Sequence, residues 1–90
     1  MFEFDPAKSA ANKAKHGIDF EEAKALWQDE DRITFRAKMG ADGEERWLVI
    51  GRTEGKHWSA VVTFRSDVVR LISVRRSRED EVKLYEQKNV

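Results

Sequence analysis

The hydrophobic period of this chain switches from helical to alternating near Asp31 and returns to helical after Arg76. That double switch constrains the fold more than any other feature, because neither an all-helical nor an all-β domain accommodates both patterns. Before the first switch, Phe2-Glu3-Phe4 alternates and predicts a short strand. Asp5 then supplies a side-chain acceptor for free backbone N–H groups, and Pro6 suits the first helical position. The helix is expected to reach His16 and to stop at Gly17, which tolerates the left-handed cap. Ala7, Ala11 and Ala14 share one face and are expected to be its buried side. Lys8, Asn12, Lys15 and His16 fall on the other flank. A second helix begins at Asp19, which forms a capping box with Glu22. Phe20, Ala23, Leu26 and Trp27 make its apolar stripe, and Asp29-Glu30-Asp31 ends it in solvent.

After the first switch, Ile33 and Phe35 alternate with Arg32, Thr34 and Arg36. Residues 39–45 form a glycine-containing loop. Strands follow at Arg46–Arg52, His57–Arg65 and Val68–Arg75, separated by turns at Glu54-Gly55 and Ser66-Asp67. On the last strand Val68, Ile72 and Val74 are expected to share one side. Ser77 with Asp80 marks a third helix start, carried on by Glu81, Leu84 and Tyr85. The expected fold is α+β: a short N-terminal strand and two helices, then about four antiparallel strands and a C-terminal helix. Short turns make neighbours antiparallel, and the helices are expected on one face of the sheet. Residues 1–90 are expected to form one domain.

Charge narrows the functional classes. Charged residues make up 38% of the chain, yet the formal net charge is zero, which disfavours nucleic-acid binding through bulk charge alone. The charges are segregated, however. Arg65, Arg70, Arg75, Arg76 and Arg78 crowd one stretch against Asp67 alone, while Lys8, Lys13, Lys15 and His16 gather near the N-terminus. A local basic site is therefore available. No cysteine is present, which excludes disulfides, thiol nucleophiles and cysteine metal sites. No run approaches the ~20 apolar residues that span a bilayer, and Met1–Pro6 lacks a signal-peptide pattern. A cytoplasmic protein with no membrane partner is expected.

Phe4-Asp5-Pro6-Ala7-Lys8, Asn12 and Lys15-His16-Gly17 resemble the opening of the BrnT family. Phe20-Glu21-Glu22-Ala23, Asp29, Arg46, Ile50-Gly51, Arg70–Arg76, Glu81 and Tyr85 continue the resemblance in order along nearly the whole chain. The resemblance implies a toxin of a type II toxin–antitoxin pair, with a RelE-like fold and RNA as substrate. It also implies a cognate DNA-binding, BrnA-like antitoxin that holds the toxin inactive, with operator DNA reached only through that antitoxin. A toxin homodimer within the complex is compatible with it. Ser77-Arg78-Glu79-Asp80 departs from the family pattern by being more acidic, so RNA contacts along the last helix are not implied.

These residues can supply the chemistry of metal-free RNA cleavage, which needs no cofactor. The 2′-OH must lose a proton, the transition state gains negative charge, and the 5′-oxygen must leave. Arginine binds phosphate oxygens bidentately and stays cationic, so Arg75 or Arg76 is the expected transition-state clamp, with Arg65 assisting. Neighbouring strand residues point to opposite faces, so Arg75 and Arg76 can share one phosphate only if the strand has already ended. Either arginine could instead tie down an acid such as Glu81. His16 is the better placed histidine, because a helix C-terminus suits a cation and casts it as a general acid; it could equally be only the cap of the first helix. Lys8, Lys15 and Asn12 are candidates for holding RNA. His57 reads as surface structure, Tyr85 as structural, and Trp27, Trp47 and Trp58 as core. No His/Asp/Glu set has metal-ligand spacing. The alternative function is a non-catalytic α+β module that binds protein or nucleic acid.

Overall fold

The computed structural model describes residues 1–88, and its element order follows from local chemistry almost throughout. Strand β1 (Phe2–Glu3) leads into α1 (Pro6–His16). Asp5 caps α1 by accepting from the Ala7 N–H at 2.8 Å, and Gly17 closes it at φ 83°, the left-handed conformation that only glycine adopts at no cost. Helix α2 (Phe20–Ala23) starts with a complete capping box between Asp19 and Glu22, then tightens into a 3₁₀ segment, Lys24–Gln28. Strands β2 (Ile33–Arg36), β3 (Trp47–Thr53), β4 (Lys56–Arg65) and β5 (Val68–Arg76) form the meander, and α3 (Glu79–Lys88) follows.

The sheet has five strands in the order β1-β5-β4-β3-β2. Strand β1 pairs parallel with β5, Phe2 opposite Val69, so the sheet is mixed rather than purely antiparallel. A two-residue strand carries no local signal for its partner, and this pairing is a tertiary outcome.

The helices lie on both faces, not on one as the α+β reading expected. Ile18, Phe20, Ala23 and Leu26 pack with Val49, Trp58, Ala60, Val62, Leu71 and Val74. Leu48 and Ile50 turn the other way and pack with Tyr85 of α3, flanked by Ile33, Phe35 and Val61. The physical reason lies in β3: its run Trp47-Leu48-Val49-Ile50 is apolar at successive positions, so both faces need cover. A bulge opposite Val61/Val62 pairs Val61 with Ser73 and Val62 with Leu71. Ile72 is thereby left over, and Leu71 with Val74, rather than Ile72 with Val74, face the α1 core. Gly51 allows close approach of the 3₁₀ segment, since a Cβ there would lie 3.2 Å from both the Leu26 Cβ and its carbonyl oxygen.

Helix α1 is rotated relative to expectation. Ala7, Ala11 and Ala14 are exposed, and the buried residues are Ser9 and Asn12. Ser9 Oγ accepts from the Phe20 N–H at 2.9 Å. The Asn12 amide donates to the carbonyls of Ile18 and Val74, both at 2.8 Å, and accepts from the Val74 N–H at 3.2 Å. Asn12 thus acts as a ladder partner for β5. Three alanines bury too little area to compete with buried backbone groups that must be paired.

Candidate functional site

Basic side chains converge at the end of the sheet formed by the β3–β4 turn and the C-terminus of β5. The register sets Thr53 opposite Lys56, Arg52 opposite His57, Trp58 opposite Arg76 and Ser59 opposite Arg75. The last turn of α1, with Lys15 and His16, belongs to the same end, because Gly17 and Trp58 line one cleft.

Strand β5 runs through Arg76, so Arg75 and Arg76 point to opposite faces. Arg76 is exposed on the α1 side, with its guanidinium 5.5 Å from the centre of the Trp58 ring. Among the described residues it has no acidic partner. Arg75 lies on the α3 side and meets Glu81 in a two-pronged pair, Nη1 to Oε1 and Nη2 to Oε2, each 2.8 Å. Glu81 is buried and accepts further from Ser59 Oγ at 2.9 Å and from the Arg78 N–H at 2.8 Å. The Arg75 guanidinium, against the cost of burial, holds the Glu81 carboxyl down at about 2, with the Arg78 N–H and Ser59 hydroxyl adding to the effect. Arg75 is thereby fixed in place rather than free to follow a ligand.

The other arginine expected to assist does not reach this end. Arg65 lies six residues along β4 from Ser59, about 20 Å at ~3.3 Å per residue. It pairs with Glu44 at 3.1 Å and with Glu3 at 3.5 Å. The bonds of Asn12 are all internal, as described above, whereas Lys8 and Lys15 are exposed on α1. His16 is half-buried, one turn beyond Asn12 on the docked side of the helix.

The sequence reading missed the role of Asp29, and gave Tyr85 its structural role without its partner. Asp29 does not simply end a helix in solvent. Its carboxylate accepts from the N–H groups of Asp31 and Arg52, at 2.9 and 2.7 Å, and from the Tyr85 hydroxyl at 2.7 Å. Burial works to raise the Asp29 carboxyl, but the hydrogen bonds from Tyr85, Asp31 and Arg52 outweigh it and the net shift is downward. Burial and the Asp29 charge push Tyr85 up to about 12, so its proton is held. The His57 and Tyr85 rings meet in a T-shaped contact, their centres 4.8 Å apart. Asp29 and Tyr85 are 56 residues apart, and no local pattern signals their pairing. Trp58 is core, and Trp27 and Trp47 pack partly buried against it, as their positions suggested.

Among the described residues, no three His, Cys, Asp or Glu side chains converge in a metal-binding arrangement. Among the same residues, no helix is long and apolar enough to cross a membrane. A family model described as the ribonuclease toxin BrnT of a type II toxin–antitoxin system matches residues 4–81 of the 90. No curated protein matches the chain.

Proposed function

The chain belongs to the BrnT family of type II toxin–antitoxin ribonuclease toxins, and from that premise we propose that it is a RelE-like endoribonuclease that cleaves RNA without a metal ion. The observation that carries this reading is the family match across residues 4–81. The basic end of the sheet supports a location for the chemistry. Arg76 is the transition-state clamp: it is exposed, cationic and unpaired with any acid among the described residues. One preorganised donor of this kind contributes roughly 10²–10³ in rate. Arg75 is neutralised by Glu81 on the opposite face of the strand, so its part is to fix the end of β5 that carries Arg76. The 2′-hydroxyl gives its proton to solvent water as its oxygen attacks phosphorus, the bond to the 5′-oxygen breaks, and His16 gives the leaving oxygen its proton. The product is a 2′,3′-cyclic phosphate. Lys8 and Lys15 hold flanking phosphates along the exposed side of α1.

The partner is a DNA-binding, BrnA-like antitoxin that neutralises the toxin in the cytoplasm. Operator DNA is reached only through it, and the toxin pairs as a homodimer within the complex. The test is incubation of the purified chain with RNA in EDTA, followed by analysis of the new 3′ ends. Cleavage to cyclic-phosphate ends, reduced roughly 10²–10³-fold by Arg76→Ala, is the expected result. Intact RNA, together with no growth arrest on expression, overturns the reading. Growth arrest undiminished by Arg76→Ala, Arg75→Ala and His16→Ala points instead to a non-catalytic binding module, a reading that the zero net charge also suits.

A further inference from the structure

One cleft beside Arg76 is built from parts that no step of the cleavage chemistry uses. It lies between the segment Gly17–Ala25 and the β3–β4 turn, and its volume is about 330 Å³. That is at the lower end of the range for small-ligand sites, about 300–1,000 Å³, so it suits one planar ring rather than a folded segment of a partner. Ile18, Ala25 and Trp58 supply apolar walls, while Glu22, Glu54 and Lys56 supply the polar groups.

The polar groups are available. Glu22 uses Oε1 for both of its hydrogen bonds, from Lys13 Nζ at 2.7 Å and from the Asp19 N–H at 3.0 Å, which leaves Oε2 unoccupied by either. Glu54 holds the left-handed conformation, φ 52°, at the first position of a two-residue turn, with Gly55 at φ 77°. A glutamate is a strained choice there, where asparagine, aspartate or glycine is usual. Neither Glu54 nor Lys56 is in an ion pair among the described residues.

We propose that this cleft binds a guanine base of the RNA next to the scissile phosphate, with a glutamate carboxylate on its N1–H and N2–H and the Lys56 ammonium on its O6. The inference rests on the ribonuclease reading for the class of its occupant. Hydrogen-bonding chemistry selects the base. A carboxylate accepts two parallel N–H bonds, and only guanine presents two adjacent donors beside an acceptor on its Watson–Crick edge. Adenine and cytosine place an acceptor next to their amino group, and uracil flanks a single donor with two oxygens. An arginine side chain from a protein partner also fits a carboxylate, but it offers nothing to accept from Lys56 and is repelled by it. Position agrees with this: Trp58 lines the cleft and lies under Arg76, and Gly17, which follows His16, lines it too. A base seated here keeps its phosphate at the end of the sheet that carries the proposed clamp and the proposed acid.

The experiment titrates the full chain with guanosine 3′-monophosphate, adenosine 3′-monophosphate and Nα-acetyl-arginine amide, following backbone amide resonances. Guanosine monophosphate is expected to shift Ile18, Ala25, Thr53 and Trp58 and to bind at least tenfold more tightly than its adenosine counterpart. Glu54→Gln and Glu22→Gln, which keep side-chain shape, are measured separately, and at least one is expected to weaken the guanosine ligand about tenfold. Equal binding of the two nucleotides, shifts confined to other surfaces, preference for the arginine amide, or unchanged affinity in both variants overturns the inference. RNA cleavage is scored independently. Base discrimination with intact RNA and no growth arrest keeps the cleft and refutes the ribonuclease reading, whereas cleavage without discrimination does the reverse.

Discussion

Replacing Glu81 by glutamine tests whether the Arg75–Glu81 pair anchors α3 and fixes Arg75. The carboxyl lies at about 2 in the fold against an ordinary value of 4.5. At 1.36 kcal/mol per unit, that difference is about 3 kcal/mol of stability at neutral pH. The unfolded chain binds the proton more readily, so this contribution is complete above about pH 4.5 and is lost as pH falls towards 2. Mutational experience with buried pairs is consistent: removing one partner costs about 3–5 kcal/mol, with the lower end apt here because a quarter of the Arg75 side chain is exposed. Glutamine keeps the shape and an acceptor oxygen but loses the charge, so about 2–3 kcal/mol is expected at pH 7. For a domain of this size that is a fall of roughly 10–20 °C in Tm. Urea unfolding followed by circular dichroism, at pH 7 and at pH 3, reads both numbers. The wild type is expected to lose stability between these pH values, and the variant to lose much less. A variant within 0.5 kcal/mol of wild type at pH 7, or one with the wild-type acid slope, refutes the reasoning.

Three further outcomes follow from the geometry. Tyr85 is the one tyrosine in the sequence, so alkaline ultraviolet titration reads it directly. It is expected to ionise near 12 in the fold, and because this lies above the unfolded value of ~10, its stabilisation is full below pH 10 and vanishes as pH rises through 12; titration at the ordinary value would contradict the Asp29 bond. Asn12→Ala leaves the Val74 N–H and two carbonyls without their side-chain partner, and about 2–4 kcal/mol is expected to be lost in denaturant unfolding. Gly51→Ala forces a methyl to 3.2 Å from Leu26, for an expected cost of about 1–3 kcal/mol, and an increase in Tm would show that the 3₁₀ segment is free to move away.

Adjacent residues alone fix where most of the elements begin and end. Asp5-Pro6, the Asp19–Glu22 box, Gly17 and the Glu54-Gly55 turn each bring their own hydrogen bonds or dihedral preference, and the elements begin and end there. The alternation after Asp31 made the sheet legible, and the ordered motifs made the family legible. Which side of each element is used depends instead on segments far apart in the chain. Alanine spacing pointed to the wrong face of α1, because the helix docks through Ser9 and Asn12 onto backbone groups of distant segments. The β5 bulge shifted the alternation after Leu71, and Arg75 and Arg76 parted company because the strand continues through both. Arg65 was in reach of Arg75 along the sequence but is about 20 Å away by register. The Asp29–Tyr85 bond and the carboxylate–lysine cleft join residues from separate elements. Caps and periods are short-range effects that one segment expresses alone. Register, facing and charge pairing depend on which segments meet, and that is settled only when both faces of β3 are covered and every buried backbone group finds its partner.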